Sequence, residues 1–380
     1  MTERIAVVGG GTGGTVLANA LAERLSGEID AGEVAITLFD ATPEHVYKPV
    51  WLYVAFGKRE PEDGRRPLRE VLDDRVELRI ARVTGIDHDA RRLDLAEGAP
   101  AAYDRLVLAT GANVAPERVP GLAAGAHDFY TERGAERLRE ELLSLREGHV
   151  VLNVASAPHM CPAAPLEFVF VLDDWLRERG LREDVDVTYT YPVGRVHGNE
   201  QVAEWARPRL ERRGIDIEAP FNIASVAPGD GVVSSEEGTT IDYDLLVTVP
   251  PHEGSELVAD AGLGEGGWVD VDPHTLEAHG VEGLYALGDV AATGVPKAGS
   301  AAHYQAKTLA ERIADHARRR PSAARYDGKT LCFVETGTDR ATFLEFDYDS
   351  QPDPGEPSRA IHWSKLAYNE SYWLTARGLI

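Results

Sequence analysis

The chain has 380 residues, with 63 Asp and Glu against 39 Lys and Arg, so its formal net charge is -24. This length predicts about two or three domains with a well-buried core. The acidic surface repels phosphate and excludes nucleic acid as a partner. Because concentrated salt screens self-repulsion, the charge also favours a halophilic, high-salt cytoplasm.

The first residues run straight into a buried-strand pattern and leave no room for an export signal, which predicts an intracellular, cytoplasmic protein. No apolar stretch reaches the roughly 18 to 20 residues of a spanning helix, so we expect any membrane contact to be peripheral, on the inner face of the cell membrane. The chain has two cysteines, Cys161 and Cys332, too few for a zinc cluster or a disulfide framework. No metal site is predicted, and a homo-oligomer stays open.

The hydrophobic pattern predicts an α/β fold with two tandem Rossmann-type βαβ domains. The first unit comprises a strand over 4–9, a helix over 13–26 and a strand over 34–39. The second unit has a strand from about 149, a helix over 166–179 and a strand over 185–191, and a later helix lies near 300–318. The predicted domains are 1–125 (dinucleotide-binding, first part), 126–250 (second Rossmann-like unit, which carries Cys161), 251–320 (dinucleotide-binding, return part) and 321–380 (small C-terminal domain, which carries Cys332).

A glycine-rich turn follows the first strand and precedes the first helix. Gly9, Gly11 and Gly14 form GxGxxG, a pattern that lets the backbone approach a pyrophosphate at a helix N-terminus. Asp40 ends the next strand, where a carboxylate can accept hydrogen bonds from an adenosine ribose. The alternative is that these glycines serve turn geometry alone.

Two later segments decide between NAD and FAD as the cofactor. LVLATGA at 106–112 and LYALGDV at 284–290 resemble the flavin disulfide-reductase superfamily. The resemblance implies FAD, held also by Thr110, Gly111, Gly288 and Asp289. A turn or cap role is the alternative for Asp289.

The second βαβ unit lacks a nucleotide loop. Its strand-to-helix turn reads ASAPHMCPAAPLE at 155–167, with prolines and no glycine, which disfavours a pyridine nucleotide. Cys161 lies in this turn, where the following helix dipole predicts a stabilised thiolate. A small buried hydrophobe is the alternative.

Cys332 lies in YDGKTLCFVETG at 326–337, and with FLEFDY at 343–348 and HWSKLAYNESYW at 362–373 it resembles sulfide:quinone oxidoreductases. KPVWLYVAFG at 48–57 and PKAGSAAHYQAKTLAERI at 296–313 fit the same family. Both cysteines match the redox positions of that family. Some members carry a third cysteine where this chain has Tyr130, which indicates a different subtype.

The resemblance implies that sulfide is oxidised to persulfide or polysulfide sulfur, with electrons passing through the cysteine pair and FAD to a membrane quinone. It implies Cys332 as the flavin-side thiol and Cys161 as the persulfide carrier, an assignment that can be reversed. Glu167 is the candidate proton acceptor, His197 a proton shuttle, and Lys297 a cation near the flavin or the quinone. A solvated helix carboxylate and a surface lysine are the alternatives for Glu167 and Lys297.

Aromatic residues near the C-terminus are the candidates for quinone binding, with core packing as the alternative. They are Phe343, Phe346, Tyr372 and Trp373. Trp363, Leu366, Ala367, Trp373 and Leu374 recur at near-helical spacing and would suit a lipid interface, although core packing explains them too.

Three other functions compete with this reading. An alternative NADH:quinone dehydrogenase shares FAD and quinone but needs a nucleotide loop in the second unit. A sulfide dehydrogenase coupled to a haem subunit would be an exported protein. A redox-sensing flavoprotein would use the cysteine pair without enzymatic turnover.

Overall fold

A computed structural model describes residues 2–379. The N-terminal GxGxxG segment belongs to a five-stranded sheet in which every neighbouring pair is parallel. The chain leaves this sheet after its fourth strand in sequence and returns about 180 residues later to add an edge strand. In spatial order the strands are Leu284–Ala286, Arg105–Leu108, Glu3–Val8, Val34–Asp40 and Val76–Ile80.

A second parallel sheet, with four strands, supports the cysteine turn. Its spatial order is Asp216–Glu218, Val185–Thr190, Gly148–Val154 and Leu245–Val249. Both predicted βαβ units are therefore confirmed, and the helix that follows Cys161, Ala164–Glu178, begins two residues before its predicted start. We call it the cysteine helix.

Each parallel sheet carries an antiparallel three-stranded sheet between its strands in sequence. One comprises Val83–Asp87, Arg92–Leu95 and Ala101–Ala102, and the other comprises Ile223–Ala227, Val232–Ser235 and Thr240–Asp242. Two short strand pairs join Glu44–Val46 with Arg65–Pro67, and Asn113–Val114 with His252–Glu253.

The C-terminal segment consists of an antiparallel hairpin and one long helix. The hairpin, Thr330–Glu335 and Ala341–Phe346, carries Cys332 and is called the C-terminal hairpin. Ser358 caps the N-terminus of the C-terminal helix, Arg359–Ala376, because its side chain accepts the Ile361 N–H. Val334, Leu344 and Tyr372 share one hydrophobic cluster with the second parallel sheet, so this segment packs on the cysteine-bearing unit.

Helices cover one face of each parallel sheet and the antiparallel sheet covers the other, so the parallel strands are buried on both faces. The helix Thr12–Arg24 follows the glycine turn and is called the phosphate-loop helix, and it packs against Gly299–Ala317. None of the helices described in residues 2–379 has the length and apolar character to cross a bilayer. The other α-helices are Ser26–Asp30, Val50–Ala55, Leu68–Val71, Leu122–Gly125, Glu132–Ser144, Glu200–Arg212 and Glu256–Asp260.

Candidate functional site

The glycine turn forms an open cradle at the start of the phosphate-loop helix. A Cβ on Gly9 would lie 2.4 Å from the Ala109 carbonyl oxygen, and one on Gly14 would lie 1.9 Å from the Gly9 oxygen. Both positions therefore require glycine. A Cβ on Gly11 would meet nothing within 4 Å, which leaves space at the helix N-terminus for a pyrophosphate.

Asp40 lies at the predicted end of its strand, and its carboxylate orders the glycine turn. One oxygen accepts the Gly10 N–H at 2.6 Å, and the other accepts from the Thr42 backbone and hydroxyl. Each carboxylate oxygen has further acceptor capacity for a ribose hydroxyl. Thr110 leaves its buried Oγ1 without a hydrogen-bond partner, as expected of a group that a ligand completes.

The return part of the first sheet contributes the other predicted cofactor residues. Gly288 adopts a positive φ of 73° and donates its N–H to Gln305 at 2.7 Å. Gly111 also has a positive φ, of 74°, with open space where a Cβ would lie. Burial raises the pKa of Asp289, and the charges of Lys48 and Lys297 lower it. A cofactor site here has a carboxylate flanked by two cations.

Lys297 connects the cofactor segment to the cysteine turn. Its ammonium donates to the Asp289 carbonyl and lies 3.7 Å from the centre of the Trp268 ring. Its carbonyl accepts the Cys161 N–H at 2.7 Å. Burial lowers the pKa of Lys297 to about 8, against the opposing charge of Asp289. The alternative of an ordinary surface lysine does not fit these contacts.

Cys161 occupies a left-handed backbone conformation with φ of 46°, which is uncommon for a residue other than glycine. Strained conformations of this kind concentrate at functional sites. The Tyr130 hydroxyl lies 3.4 Å from the Cys161 carbonyl oxygen. Tyr130 therefore contacts the same turn.

The prediction that Cys161 is a thiolate is wrong for the free thiol. Burial raises the pKa of Cys161 well above its ordinary value, and the charges of Glu167 and Cys332 raise it further. Desolvation outweighs the dipole of the cysteine helix, because that helix starts only at Ala164. The thiol is therefore neutral at pH 7 unless a base removes its proton.

Cys332 lies in the first strand of the C-terminal hairpin, opposite Leu344. Burial raises its pKa to about 12, followed by the charge of Glu167, while a hydrogen bond from Ser300 lowers it. Cys161 and Cys332 are both free thiols, and both pack on the same hydrophobic cluster. Glu167 lies six residues after Cys161 and accepts the N–H of Glu335, three residues after Cys332, so this carboxylate is near both cysteines, and its charge raises the pKa of both.

Glu167 is buried in the first turn of the cysteine helix, with 5% of its surface exposed, so the alternative of a solvated carboxylate is wrong. One oxygen accepts the Glu335 N–H at 2.8 Å and also forms a salt bridge with Lys365. Burial raises the pKa of Glu167, and Lys365 opposes that shift. A buried carboxylate beside two thiols can accept and return their protons.

His197 is buried next to the cysteine turn. Its Nδ1 accepts the Asn199 N–H at 3.0 Å, which places the ring proton on Nε2. Within the part of the chain that the structure describes, Nε2 has no hydrogen-bond partner. Burial, followed by the charge of His159, lowers the pKa of His197 to about 4, so the ring is neutral at pH 7 and acts as a hydrogen-bond donor.

A cavity of about 350 Å³ opens beside the sulfurs. Cys332 and His197 line it, together with Pro162 and Ala163 of the cysteine turn. The loop after the C-terminal hairpin covers another side, where Gln351 accepts from Asn199 at 2.9 Å. The cavity therefore offers small molecules access to Cys332.

The four aromatic quinone candidates lie on two elements. Phe343 is 42% exposed, and Phe346 lines the cavity beside Cys332. Tyr372 is buried, stacks on Tyr47 with ring centres 3.9 Å apart, and its hydroxyl lies 2.7 Å from the Thr12 hydroxyl. Within residues 2–379, no aromatic contact joins the hairpin pair to Tyr372 and Trp373.

Trp373 packs beside Tyr372, with ring centres 5.2 Å apart, and Arg66 lies over its ring. The Tyr372 hydroxyl also contacts His45 Nε2 at 2.8 Å. These contacts tie the C-terminal helix to the phosphate-loop helix. They favour the core-packing alternative for Tyr372.

Sequence reasoning missed four polar residues around Glu167: Lys365, Glu335, His362 and Tyr53. One available signal was the spacing of His362 and Lys365, which places them on one face of a helix. Another was the position of Glu335, three residues after Cys332. Neither signal points to Glu167, nearly two hundred residues away in the sequence.

The protein has two nucleotide-type folds, one thiol at the strand-to-helix turn of the second fold and another on the C-terminal hairpin. The sequence pattern of the pyridine nucleotide-disulphide oxidoreductase family matches residues 3–156 and 170–306, more than half of the chain. The chain belongs to this family, and it is an oxidoreductase whose cofactor is FAD. The match is interrupted at the turn that holds Cys161, and it ends before the C-terminal hairpin.

Several individual proteins are similar to this chain over most of its length. A mitochondrial sulfide:quinone oxidoreductase of Mus musculus is 24% identical over 360 residues, covering 92% of this chain and 79% of that protein. The crystal structure of the sulfide:quinone oxidoreductase from Aquifex aeolicus matches with a TM-score of 0.88 at 23% identity, over 99% of this chain and 92% of the other. An NADH dehydrogenase-like protein of Mycobacterium tuberculosis is 30% identical over 306 residues, covering 76% of this chain and 73% of that protein.

Proposed function

We propose that this protein oxidises hydrogen sulfide to sulfane sulfur and passes the electrons through a cysteine pair and FAD to a membrane quinone. One observation carries the proposal: Cys332 and the Cys161 turn border one cavity, with the buried carboxylate of Glu167 close to both sulfurs. The mouse and Aquifex relatives, named as sulfide:quinone oxidoreductases, support it.

The sulfur step needs a proton donor for the leaving sulfur. Hydrosulfide attacks one sulfur of a Cys161–Cys332 disulfide, a persulfide bond forms, the disulfide bond breaks, and its electron pair stays on the other sulfur. Burial raises both thiol pKa values, so that sulfur takes up a proton as it leaves. Glu167 supplies this proton and later accepts it again.

FAD, when bound, supplies a two-electron acceptor between the thiols and the quinone. Gly9, Gly11 and Gly14 would hold its pyrophosphate, and Asp40 its ribose. Lys297 fixes the Cys161 backbone through its carbonyl and keeps a positive charge beside Asp289. His197 donates a hydrogen bond to a sulfur anion in the cavity.

The cavity favours the reversed assignment of the two thiols. Cys332 lines the cavity, so its sulfur is open to incoming sulfide and to a sulfur acceptor. The Cys161 backbone is bonded to Lys297, whose side chain lies at the cofactor segment. We therefore assign Cys332 as the persulfide carrier and Cys161 as the flavin-side thiol.

Quinone access and membrane contact belong to the same proposal. Trp363 is 66% exposed and Leu374 is 47% exposed, both on the C-terminal helix, and Leu379 follows them at 62%. Exposed apolar side chains of this kind suit an interfacial, peripheral contact on the inner face of the cell membrane. Phe343, 42% exposed on the neighbouring hairpin, would extend that surface.

NADH oxidation is the second candidate, favoured by the Mycobacterium tuberculosis relative named as NADH dehydrogenase-like. The turn at Met160–Pro162 opposes it, because it places side chains where a glycine loop would receive a pyrophosphate.

The test is anaerobic titration of the purified flavoprotein with sulfide, and separately with NADH, while the flavin absorbance is followed. We expect sulfide to bleach the flavin, a short-chain quinone to restore it, and NADH to do neither. Cys161→Ser and Cys332→Ser should both abolish rapid bleaching, whereas the exposed Ser364→Ala control should not. Full sulfide-driven bleaching in either cysteine variant would show that the two cysteines do not act as the proposed redox pair. Bleaching by NADH but not by sulfide would show that the protein is an NADH dehydrogenase instead.

Mass spectrometry of the alkylated protein after one sulfide addition tests the assignment of the thiols. We expect the added sulfur on the peptide that contains Cys332. Its recovery on the Cys161 peptide would restore the opposite assignment.

A further inference from the structure

Glu167 belongs to a cluster of largely buried polar side chains that spans four elements. Lys365 of the C-terminal helix forms a salt bridge with Glu167 and lies 3.9 Å from Glu335 of the C-terminal hairpin. His362, one helical turn before Lys365, lies 2.9 Å from the second Glu335 oxygen. Tyr53 donates its hydroxyl to Glu335 at 2.9 Å. We call these five residues the acid–lysine cluster.

The charges of the acid–lysine cluster do not cancel without an additional proton. Glu167 and Glu335 contribute two carboxylates, and Lys365 contributes one ammonium. All three are buried, with 5%, 1% and 7% of their surfaces exposed, and a buried excess charge is strongly disfavoured. One further proton, on a carboxyl or on His362, makes the cluster neutral. The His362–Glu335 hydrogen bond lets that proton move between the two groups.

The cluster has one end at the sulfurs and the other near solvent. At the inner end, the charge of Glu167 raises the pKa of both cysteine thiols. At the outer end, Tyr53, Glu335 and His362 line a cavity of about 10 Å³, together with Lys58. That volume suffices for about one water molecule. The His362 side chain is 13% exposed, so the cluster reaches the surface there.

We propose that Glu335 and His362 carry protons between the cysteine pair and solvent, through Lys365 and Glu167. The inference rests on the proposed function, because it assigns a route to protons that the sulfur reaction releases. When two thiols are oxidised to a disulfide, one S–S bond forms and two electrons leave for FAD and quinone. The two S–H protons must also leave the buried site, and the quinone takes up two protons when it is reduced. Glu167 accepts one proton at a time, Lys365 passes a proton to Glu335 as it receives one, and His362 releases it to water.

Other charged groups near this route have different partners. Lys58 lines the outer cavity but has no bond to Glu335 within the described residues. Asp174 and Glu178 of the cysteine helix accept hydrogen bonds from Thr338 at the turn of the hairpin. Arg213 pairs with Asp173 and Asp174. The described contacts therefore leave His362 as the cluster member that links Glu335 to the surface.

The experiment compares His362→Gln with a matched control, His149→Gln. His149 is another partly buried histidine, bonded to Thr188 at 2.7 Å in the second parallel sheet. FAD-loaded protein in weak buffer is mixed anaerobically with sulfide and short-chain quinone. The flavin absorbance reports electron transfer. The solvent deuterium isotope effect on this rate reports proton transfer, because the protons released by the thiols and those taken up by the quinone cancel in solution. The same turnover is measured against pH, with and without added imidazole as a mobile proton carrier.

We expect His362→Gln to slow steady-state turnover by about 100-fold, to increase the solvent isotope effect on turnover and to change its pH profile. Imidazole should restore most of the rate, and Glu335→Gln should give the same loss with less rescue, since its group lies deeper. His149→Gln should behave as the wild type.

Two results would overturn the relay alone while the wild type still bleaches with sulfide. One is an unchanged turnover, solvent isotope effect and pH profile in His362→Gln. The other is a slow variant that imidazole does not rescue and whose solvent isotope effect equals that of the wild type, which indicates a structural role. A wild type that sulfide cannot bleach would overturn the proposed function, and the relay with it.

Discussion

Glu167 illustrates how the surroundings of one residue decide its chemistry. In sequence it is a carboxylate in the first turn of a helix. Such a side chain is typically solvated, and its negative charge interacts favourably with the helix dipole. In the structure it is buried, bonded to Lys365 and to the Glu335 N–H, and close to both thiols. Burial raises its pKa, so the carboxyl group holds its proton to a higher pH than an exposed glutamate.

Glu167→Gln should lower the rate of sulfide-driven flavin reduction by about 100-fold, the typical effect of losing a general acid–base group. Because the Glu167 pKa is raised, the wild-type rate should show an ionisation above the ordinary glutamate range of about 4.3, and the variant should lack it. Stopped-flow absorbance at several pH values measures both effects. The exposed Glu183→Gln is the control, and an unchanged pH profile in Glu167→Gln would contradict the assigned role.

At the scale of elements, the C-terminal hairpin places Cys332 through contacts with the second nucleotide fold. Arg213 donates to Asp173 at 2.8 Å and to Asp174 at 2.7 Å, and its other nitrogen donates to the Thr336 carbonyl in the hairpin. Asp173 is fully buried and also pairs with Arg177 and Arg182. The position of the Cys332 sulfur thus depends on an ion network outside the proposed site.

Arg213→Met should lower the free energy of unfolding by about 2 kcal/mol, because it removes one of three partners of a buried carboxylate. It should also slow sulfide-driven bleaching, since the hairpin that carries Cys332 loses an anchor. Urea unfolding and stopped-flow absorbance test the two parts. Arg207→Met, which removes a partly exposed pair with Glu211, should change stability by less than about 0.5 kcal/mol. Equal effects of the two variants would count against the anchoring role.

Features that depend on neighbouring residues in the sequence can be predicted from it, whereas contacts between residues far apart in the sequence cannot. The two βαβ units follow from hydrophobic runs and turn residues that lie close together in sequence, and both are confirmed. The neutral thiol of Cys161 does not follow from its helix, because it depends on how much protein covers the turn. The contact between Glu167 and Lys365 joins residues 198 apart, which periodicity cannot reveal.

At the scale of the whole molecule, buried histidines make stability depend on pH. Burial lowers the pKa values of His45, His159 and His197 to about 4. In the unfolded chain these histidines bind protons below about pH 6.5, whereas in the folded chain they stay neutral down to about pH 4. Their contribution to the free energy of unfolding is therefore fully present above about pH 6.5. The contribution is lost as the pH falls from about 6.5 towards 4.

The free energy of unfolding should therefore decline from pH 7 to pH 4, by roughly 1.4 kcal/mol per pH unit for each such histidine within that window. Urea unfolding at constant ionic strength measures this slope. His159→Asn should flatten the slope, while the exposed His279→Asn should not. A flat profile in the wild type would show that the buried rings gain protons without unfolding.

Net charge gives a second prediction for the whole molecule. With a formal charge of -24, the folded chain is subject to self-repulsion that added salt screens. We expect the thermal midpoint to rise with KCl concentration, measured by the fluorescence of its six tryptophans. Maximal stability at low salt would contradict the halophilic interpretation.

The return of the chain to its first sheet has a consequence for biosynthesis. The strand Leu284–Ala286 pairs with Arg105–Leu108, although the entire second sheet lies between them in sequence. A ribosome therefore releases the second nucleotide fold before the first one can complete its edge, and the nascent N-terminal half waits with an unpaired strand. A cofactor site that includes Asp289, as we propose, is therefore complete only after about three quarters of the chain has been translated.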